Sequence, residues 1–172
     1  TALRTLPASS NVIEPGQLVS FVKPDNGIAT MSSDALIAMA TEHAAAAGFD
    51  EPVRLICTLP SHGAPAFCCG ILTALLTGAE LHSLPAPDST ALTSALLSQR
   101  AVHLIWPGML EDMLDDVPHA ALPSATIVHH VPWEKQHHRG LQSNDAIAIV
   151  DCWNFSNRLF AFASRETNSS PS

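Results

Sequence analysis

Positively charged residues are scarce in this sequence. Eight Lys and Arg stand against sixteen Asp and Glu, so the formal net charge is −8 at pH 7. Nucleic acids and anionic membrane surfaces are bound by clustered cations, which attract the phosphate groups. The composition therefore disfavours both classes of partner, and we expect neither nucleic acid nor a membrane among the partners of the protein.

Long apolar runs are also missing, although hydrophobic residues make up 47% of the 172 residues. No run reaches the roughly 18 residues that a membrane-spanning helix needs, and no charged start followed by an apolar stretch marks a secretory signal. The length suits one domain with a sizeable core and is short for two. Thr1 rather than Met opens the sequence, which fits an excerpt of a longer chain.

Cysteine pairs at the spacing of a zinc or redox motif are absent. The cysteines are Cys57, Cys68, Cys69 and Cys152; three lie within apolar runs, and no two form a CxxC pair. This distribution predicts buried, reduced thiols that pack as small hydrophobic side chains. Reduced thiols are typical of a reducing compartment, so we predict a cytoplasmic location.

What the sequence does contain is an alternation of strand-like and helix-like runs. Strands that alternate with helices predict an α/β fold, with a mostly parallel sheet of about five strands flanked by helices. We expect a small β-hairpin near each end, the first turning at Asn26-Gly27. Residues 1–17 are predicted to be a lead-in segment, 18–164 a single α/β domain and 165–172 a loose tail. The predicted strands are 18–22, 28–31, 53–59, 80–84, 102–106, 125–128, 146–153 and 159–163, and the predicted helices are 34–48, 64–77, 89–99 and 107–114.

The segment 53–84 contains the most informative pattern. An apolar run with a β-branched centre stops at Pro60, a polar corner that includes His62 follows, and an apolar stretch of helical length then ends at Gly78. A second strand begins at Glu80, so the segment predicts a βαβ unit with His62 at the carboxyl end of its first strand. Ligands of open parallel sheets bind at that edge. His62 is therefore a candidate pocket residue, with an ordinary turn histidine as the alternative.

Three segments stand in an order that is known from one enzyme superfamily. The pentapeptide Leu-Pro-Ser-His-Gly at 59–63 resembles a Leu-Pro-x-x-His-x-x-Gly turn, with the second glycine displaced. Residues 71–81 resemble the helix and the Gly-Ala-strand exit that follow this turn, and residues 102–110 resemble a strand, proline and helix over the acyl pocket. The stretch 18–128 thus resembles part of the large domain of adenylate-forming enzymes. These include acyl- and aryl-CoA synthetases, peptide-synthetase adenylation domains, luciferases and fatty-acyl-AMP ligases.

The resemblance implies a pocket for an acyl or aryl carboxylate. Carried over position by position, it assigns substrate binding to His62, Gly63, Phe67 and Trp106. In a complete member of the superfamily, such a pocket serves the ATP-dependent activation of a carboxylic acid.

The sequence departs from the superfamily where ATP is bound. The loop that should hold the phosphates is Ser/Thr/Gly-rich in the superfamily, but here Pro24 removes an amide donor and Asp25 brings negative charge toward an anion. The aromatic-Gly-x-Thr-Glu motif for adenine and magnesium has no counterpart. Developing phosphoryl charge would have no stabilising groups. We therefore expect no catalytic residue and no cofactor in this chain, and ATP and Mg only if a complete parent supplies the missing motifs.

Two polar clusters have competing interpretations. His129, His130, His137 and His138 could converge on zinc or copper, but an exposed polar loop is the favoured interpretation, and the sequence leaves metal binding open. The acidic group comprises Glu111, Asp112, Asp115 and Asp116. Because like charges repel, the solvated side of a short helix is favoured over a metal site.

Together these observations favour a partial or degenerate adenylate-forming domain that is not catalytic alone. It would contribute a carboxylate pocket or a scaffold within a larger enzyme or assembly, and its partner would be another protein or the remainder of a larger chain. The alternative is a stand-alone α/β protein that binds a small ligand or dimerises, without nucleotide chemistry.

Overall fold

Strands and helices alternate through the part of the chain that the computed structural model describes, which comprises residues 16–22, 27–49, 53–86, 88–99, 103–118, 121–131 and 147–165. The strands are β1 (Leu18–Val22), β2 (Ile28–Ser32), β3 (Arg54–Cys57), β4 (Glu80–Ser83), β5 (His103–Pro107), β6 (Ser124–Val131), β7 (Ile149–Phe155) and β8 (Leu159–Ser164). The helices are α1 (Ser33–Ala46), a π-helix (Ala66–Leu72) that continues into α2 (Thr73–Thr77), α3 (Ser89–Gln99) and a 3-10 helix (Gly108–Asp116).

The main sheet has six strands in the order β4-β3-β5-β6-β7-β8. All neighbours are parallel except β8, which runs antiparallel to β7. β1 and β2 form a separate antiparallel hairpin. The predicted α/β fold and both predicted hairpins are thus confirmed, and the second hairpin is part of the main sheet because β7 also pairs with β6.

Side-chain alternation divides the core into two clusters, one on each face of the main sheet. One cluster contains Cys57 and Ile105 and is covered by the β1–β2 hairpin, α1 and the π-helix; we call this side the α1 face. The other contains Leu104 and Trp106 and is covered by α3 and the 3-10 helix; we call it the α3 face. Neighbouring residues of β5 therefore contact different helices.

Local signals explain where several elements begin and end. The Ser32 hydroxyl accepts a hydrogen bond from the Ala35 amide at 3.2 Å and caps α1, as a helix-starting serine does. Gly78 ends α2 in the left-handed conformation, with φ of 71°, which glycine adopts without steric cost.

All four cysteines are free and buried, as predicted.

β6 is longer than the sequence predicted. Residues 129–131 were predicted to open an irregular segment, but they continue β6, because the alternation of sides along the strand extends through both histidines. Within the described residues, no helix is long and apolar enough to cross a membrane.

Candidate functional site

The sheet reverses its winding between β3 and β5. From β3 the chain crosses the α1 face through the π-helix to reach β4 on one side. From β4 it returns through α3, on the opposite face, to β5 on the other side of β3. The segments that leave the carboxyl ends of β3 and β5 therefore diverge to opposite faces. Such a point opens a crevice, and ligands of open α/β sheets bind there.

The turn that follows β3 lies at this crevice. Thr58 is buried, and both its amide and its hydroxyl donate to the Ile105 carbonyl, at 3.1 and 2.9 Å. These hydrogen bonds hold the residue that follows β3 against β5. The Gly63 amide donates to the Pro60 carbonyl at 3.0 Å, which closes the turn and leaves His62 exposed at its tip. His62 therefore lies at the carboxyl edge where the sequence placed it.

Phe67 is brought near the same turn by the helix that follows. Its amide donates to the Gly63 carbonyl at 3.1 Å, so the turn and the start of the helix form one hydrogen-bonded unit. The half-buried ring of Phe67 contacts Phe21 of the β1–β2 hairpin, with 5.6 Å between the ring centroids. Gly63 and Phe67 are thus joined by a hydrogen bond on the α1 side of the crevice, and exposed His62 directly precedes Gly63 in the turn.

Trp106 is placed elsewhere. Its side chain is fully buried in the cluster of the α3 face, and its indole N–H donates to the Leu110 carbonyl at 2.8 Å. Phe67 packs against the cluster of the α1 face. Trp106 and Phe67 therefore pack on opposite faces of the sheet, and one small ligand bound on either face cannot contact both side chains.

The carboxyl ends of β6 and β7 contribute polar groups, among them two histidines that the sequence analysis assigned to a polar loop. His129 and His130 lie opposite Trp153 and Asn154 in the β6–β7 register. His130 is exposed, and its Nδ1 lies 3.0 Å from the Asn154 amide nitrogen. The continued alternation of β6 would have predicted that two adjacent histidines take opposite faces of one strand.

His129 belongs to an ionic cluster on the α3 face. Its Nε2 lies 2.7 Å from Asp151 Oδ1, and its ring stacks on Trp153. The Arg165 guanidinium donates to both oxygens of Asp151, at 2.8 and 2.6 Å, and to Glu111 Oε1 at 2.7 Å. Burial alone would raise the pKa of Asp151, but hydrogen bonds from Arg165 and His129 and their charges outweigh it and lower this pKa to about 2.

The cluster changes two sequence interpretations. Glu111 was predicted to lie on a solvated acidic face; it is buried because Arg165 compensates its charge, whereas Asp112, Asp115 and Asp116 are exposed. Arg165 was predicted to begin a loose tail. Its amide donates to the Ile149 carbonyl at 2.8 Å, so this residue is held on the sheet; the rest of the predicted tail lies outside the described residues.

A second buried network joins the α1 face to its helices. Thr126 Oγ1 lies 2.8 Å from Nε2 of both His43 and His103. His43 Nδ1 is 3.0 Å from Thr73 Oγ1, and that hydroxyl donates to the Cys68 carbonyl at 2.8 Å. Burial lowers the pKa of His43 to about 3. Both imidazoles are sealed from solvent, so the network holds helix to sheet rather than contacting a ligand.

The structure bears on the predicted metal site but not on the predicted phosphate loop. Among the residues that the structure describes, no group of three or more His, Cys, Asp or Glu could hold a metal ion. His137 and His138 lie outside the described residues, as do Pro24 and Asp25 of the predicted phosphate-loop counterpart.

Comparison with solved structures identifies the architecture. The chain aligns with the N-terminal subdomain of NpsA from Klebsiella oxytoca in complex with 3-hydroxybenzoyl-AMSN, with a TM-score of 0.58, 17% identity and coverage of 92% of this chain and 42% of that one. It aligns with the N-terminal domain of FACL13 from Mycobacterium tuberculosis (TM-score 0.60, 15% identity, 88% and 40% coverage). It also aligns with an acyl-CoA synthetase from Brucella canis (TM-score 0.60, 14% identity, 78% and 28% coverage).

These alignments establish the fold. The strands and helices are arranged as in part of each of these structures, as the sequence resemblance predicted, and the chain spans less than half the length of each of them. No protein-family model matches the sequence, and no curated protein matches it significantly.

Proposed function

We propose that this chain is a partial adenylate-forming domain that does not catalyse adenylation alone and binds an acyl or aryl carboxylate at the crevice between β3 and β5. The observation that carries the proposal is the position of the 60–63 turn at the reversal of winding in a fold shared with these enzymes. The proposal is also supported by the structure of the Klebsiella oxytoca NpsA subdomain, which is a complex with 3-hydroxybenzoyl-AMSN.

The proposed ligand contacts are His62, Gly63 and Phe67. An exposed imidazole supplies a polar contact, and the half-buried ring of Phe67 supplies apolar area beside it. Ligand sites generally combine an apolar wall with a small number of polar groups. Trp106 is omitted from the proposed contacts because its ring packs on the opposite face of the sheet.

The proposal assigns neither ATP nor magnesium to this chain alone. It is supported by the sequence at 23–29, where proline and aspartate replace the small residues that a phosphate loop needs. ATP and magnesium would enter only through a complete parent that supplied the missing motifs.

A larger chain or a protein partner is also part of the proposal. Leu18, Val22 and Ile28 are 72%, 57% and 67% exposed on the outer face of the β1–β2 hairpin. Val22 lies opposite Ile28 in the hairpin register, whereas the polar Ser20–Thr30 pair separates both from Leu18. We take the exposed Val22–Ile28 pair as the centre of the proposed contact with another chain or domain. The fraction of each related structure that the chain covers is consistent with such a contact.

The test is a titration of the full ¹⁵N-labelled chain with sodium benzoate and sodium octanoate, followed by amide chemical shifts. We expect saturable shifts at the 60–67 segment, weakened in His62→Ala and Phe67→Ala. His82→Ala serves as the control because His82 lies opposite Ile56 on the α3 face of the sheet, whereas Phe67 packs on the α1 face. Carboxylate-dependent exchange of pyrophosphate into ATP by the isolated chain, or no saturable shift with either carboxylate, would contradict the proposal.

The second candidate is a stand-alone protein that dimerises through the apolar hairpin face. It is favoured by the same exposed side chains, since a second copy could cover them. Light scattering of the full chain at increasing concentration separates the two candidates: a stable dimer that Val22→Lys dissociates, with no carboxylate binding, would favour the second.

A further inference from the structure

The protonation state of His130 can be read from its neighbours. The Asn157 main-chain amide donates to Asn154 Oδ1 at 2.8 Å, which identifies the oxygen of the Asn154 side chain. The other end of that side chain is therefore its NH₂ group. This group donates to Asn157 Oδ1 at 2.7 Å and faces His130 Nδ1 at 3.0 Å.

An amide NH₂ group can donate but cannot accept a hydrogen bond. His130 Nδ1 must therefore be the acceptor and carry no hydrogen. The neutral imidazole then has its hydrogen on Nε2, because only one ring nitrogen is protonated in the neutral form. The residue as a whole is exposed, but the ring is partly buried where it meets Asn154. This partial burial and the charge of His129 both lower the pKa of His130, which agrees with a neutral ring.

The arrangement holding this ring is rigid. Asn154 is 1% exposed, and all three of its hydrogen bonds are internal. Asn157 lies in the tight turn between β7 and β8, where the Arg158 amide donates to the Phe155 carbonyl. His130 itself is exposed at the carboxyl end of β6. Its side chain follows Val128 on the α1 face, where Val128 belongs to the cluster against which Phe67 packs.

We propose that His130 is a second polar contact of the crevice, held by Asn154 as a neutral hydrogen-bond donor that takes one oxygen of a ligand carboxylate through Nε2–H. Asn154 acts as the positioning residue, since it contacts His130 and not the ligand. The inference rests on the proposed function, because it names a contact within the same carboxylate site.

The first measurement tests the tautomer without any ligand. Long-range ¹H–¹⁵N correlation spectra of the full chain at neutral pH should show His130 with a protonated Nε2 and an unprotonated Nδ1. Asn154→Ala should convert this signal into a mixture of tautomers, a change that a merely structural role for Asn154 would not predict. A wild-type spectrum with the hydrogen on Nδ1 would overturn the inference, even if the Asn154 variant failed to fold.

The second measurement uses sodium benzoate as the probe. His130→Ala should weaken benzoate binding by about 10-fold or more, as expected for the loss of a hydrogen bond to a charged group. His130→Gln should retain part of the affinity because its amide also donates, and His82→Ala should match the wild type. If the wild type binds benzoate and His130→Ala binds it equally well, the inference fails while the proposed function stands. If the wild type binds neither benzoate nor octanoate saturably, the proposed function fails, and the inference fails with it. If it binds octanoate but not benzoate, the same comparison of His130→Ala with the wild type is made with octanoate.

Discussion

Gly108 lies directly against the imidazole of His129, immediately after β5 ends. A Cβ atom at Gly108 would meet the ring at Nδ1 and would stand only 2.9 Å from Cε1. The ring cannot retreat freely, since it is stacked on Trp153 and hydrogen-bonded to Asp151. At the residue scale, this glycine is required for space rather than for backbone conformation.

The first prediction concerns Gly108→Ala. We expect the added methyl to displace His129 and to lower the free energy of unfolding by about 1–3 kcal/mol, the usual cost of overpacking. Urea denaturation followed by tryptophan fluorescence measures the loss. Gly63→Ala is the matched control because its Cβ would have its nearest atom at 3.4 Å, an ordinary contact distance. Equal losses in both variants would contradict the steric account.

The second prediction concerns acid stability. The pKa of Asp151 is about 2 in the folded protein, below its ordinary value of about 4. The stabilisation from this group is therefore fully present above about pH 4 and is lost as the pH falls toward 2. In Asp151→Asn this part of the pH dependence should disappear, so the free energy of unfolding should vary less between these two pH values. Asp115→Asn changes an exposed carboxylate and should keep the wild-type dependence of the free energy of unfolding on pH. If Asp151→Asn also keeps that dependence, Asp151 is not the group responsible for it.

At the scale of elements, α1 is joined to the sheet by the buried network around Thr126. Thr73 donates its only hydroxyl hydrogen to the Cys68 carbonyl, so His43 must donate from Nδ1 and accept at Nε2. The Thr126 hydroxyl then donates to His43 and accepts from His103. One threonine thus satisfies an imidazole on α1 and another on β5.

The third prediction follows from this chain of donors. Thr126→Val keeps the shape of the side chain but leaves two buried ring nitrogens without their partner. We expect the free energy of unfolding to fall by about 2–4 kcal/mol, the penalty for unsatisfied buried polar groups. Thr30→Val, on the exposed face of β2, should change it little. A thermal or urea unfolding transition for Thr126→Val that matches the wild type would show that the network does not stabilise the fold.

The sequence predicted elements better than it predicted which side chains meet. Apolar runs and turn residues located every described strand and helix to within a few residues. The sequence could not show that Trp106 and Phe67 pack on opposite faces of the sheet. β5 is apolar on both faces, so it contains no alternation that tells one face from the other. Glu111 and Arg165 are 54 residues apart in the chain, and no local pattern reveals a pair formed across that separation. His62, by contrast, was predictable because its place depends on a single strand end.

At the scale of the whole molecule, β8 and Arg165 close the described fold. Arg165 bonds both Asp151 and Glu111, and these two residues are 7% and 8% exposed. Main-chain pairing thus joins the last strand to β7, and the Arg165 side chain joins it to the 3-10 helix by charge.

The fourth prediction tests this closure with two truncated chains. A chain that ends at Ser164 should lose about 2–4 kcal/mol of unfolding free energy relative to one that ends at Thr167. The reason is that removing Arg165 takes away the cation that compensates the buried carboxylates of Asp151 and Glu111. Differential scanning calorimetry of both chains measures the difference. Identical transitions would mean that the guanidinium contributes no net stability.

The antiparallel course of β8 also sets the direction in which the polypeptide leaves the sheet. Ser164 pairs with Val150 and Arg165 with Ile149, both at the start of β7, whereas the 60–63 turn lies where the parallel strands finish. An affinity tag, a fluorophore or a fused enzyme joined after Arg165 is therefore attached at the amino ends of the parallel strands, opposite the crevice. Immobilising the protein through that extension should therefore leave the mouth of the crevice facing the solution.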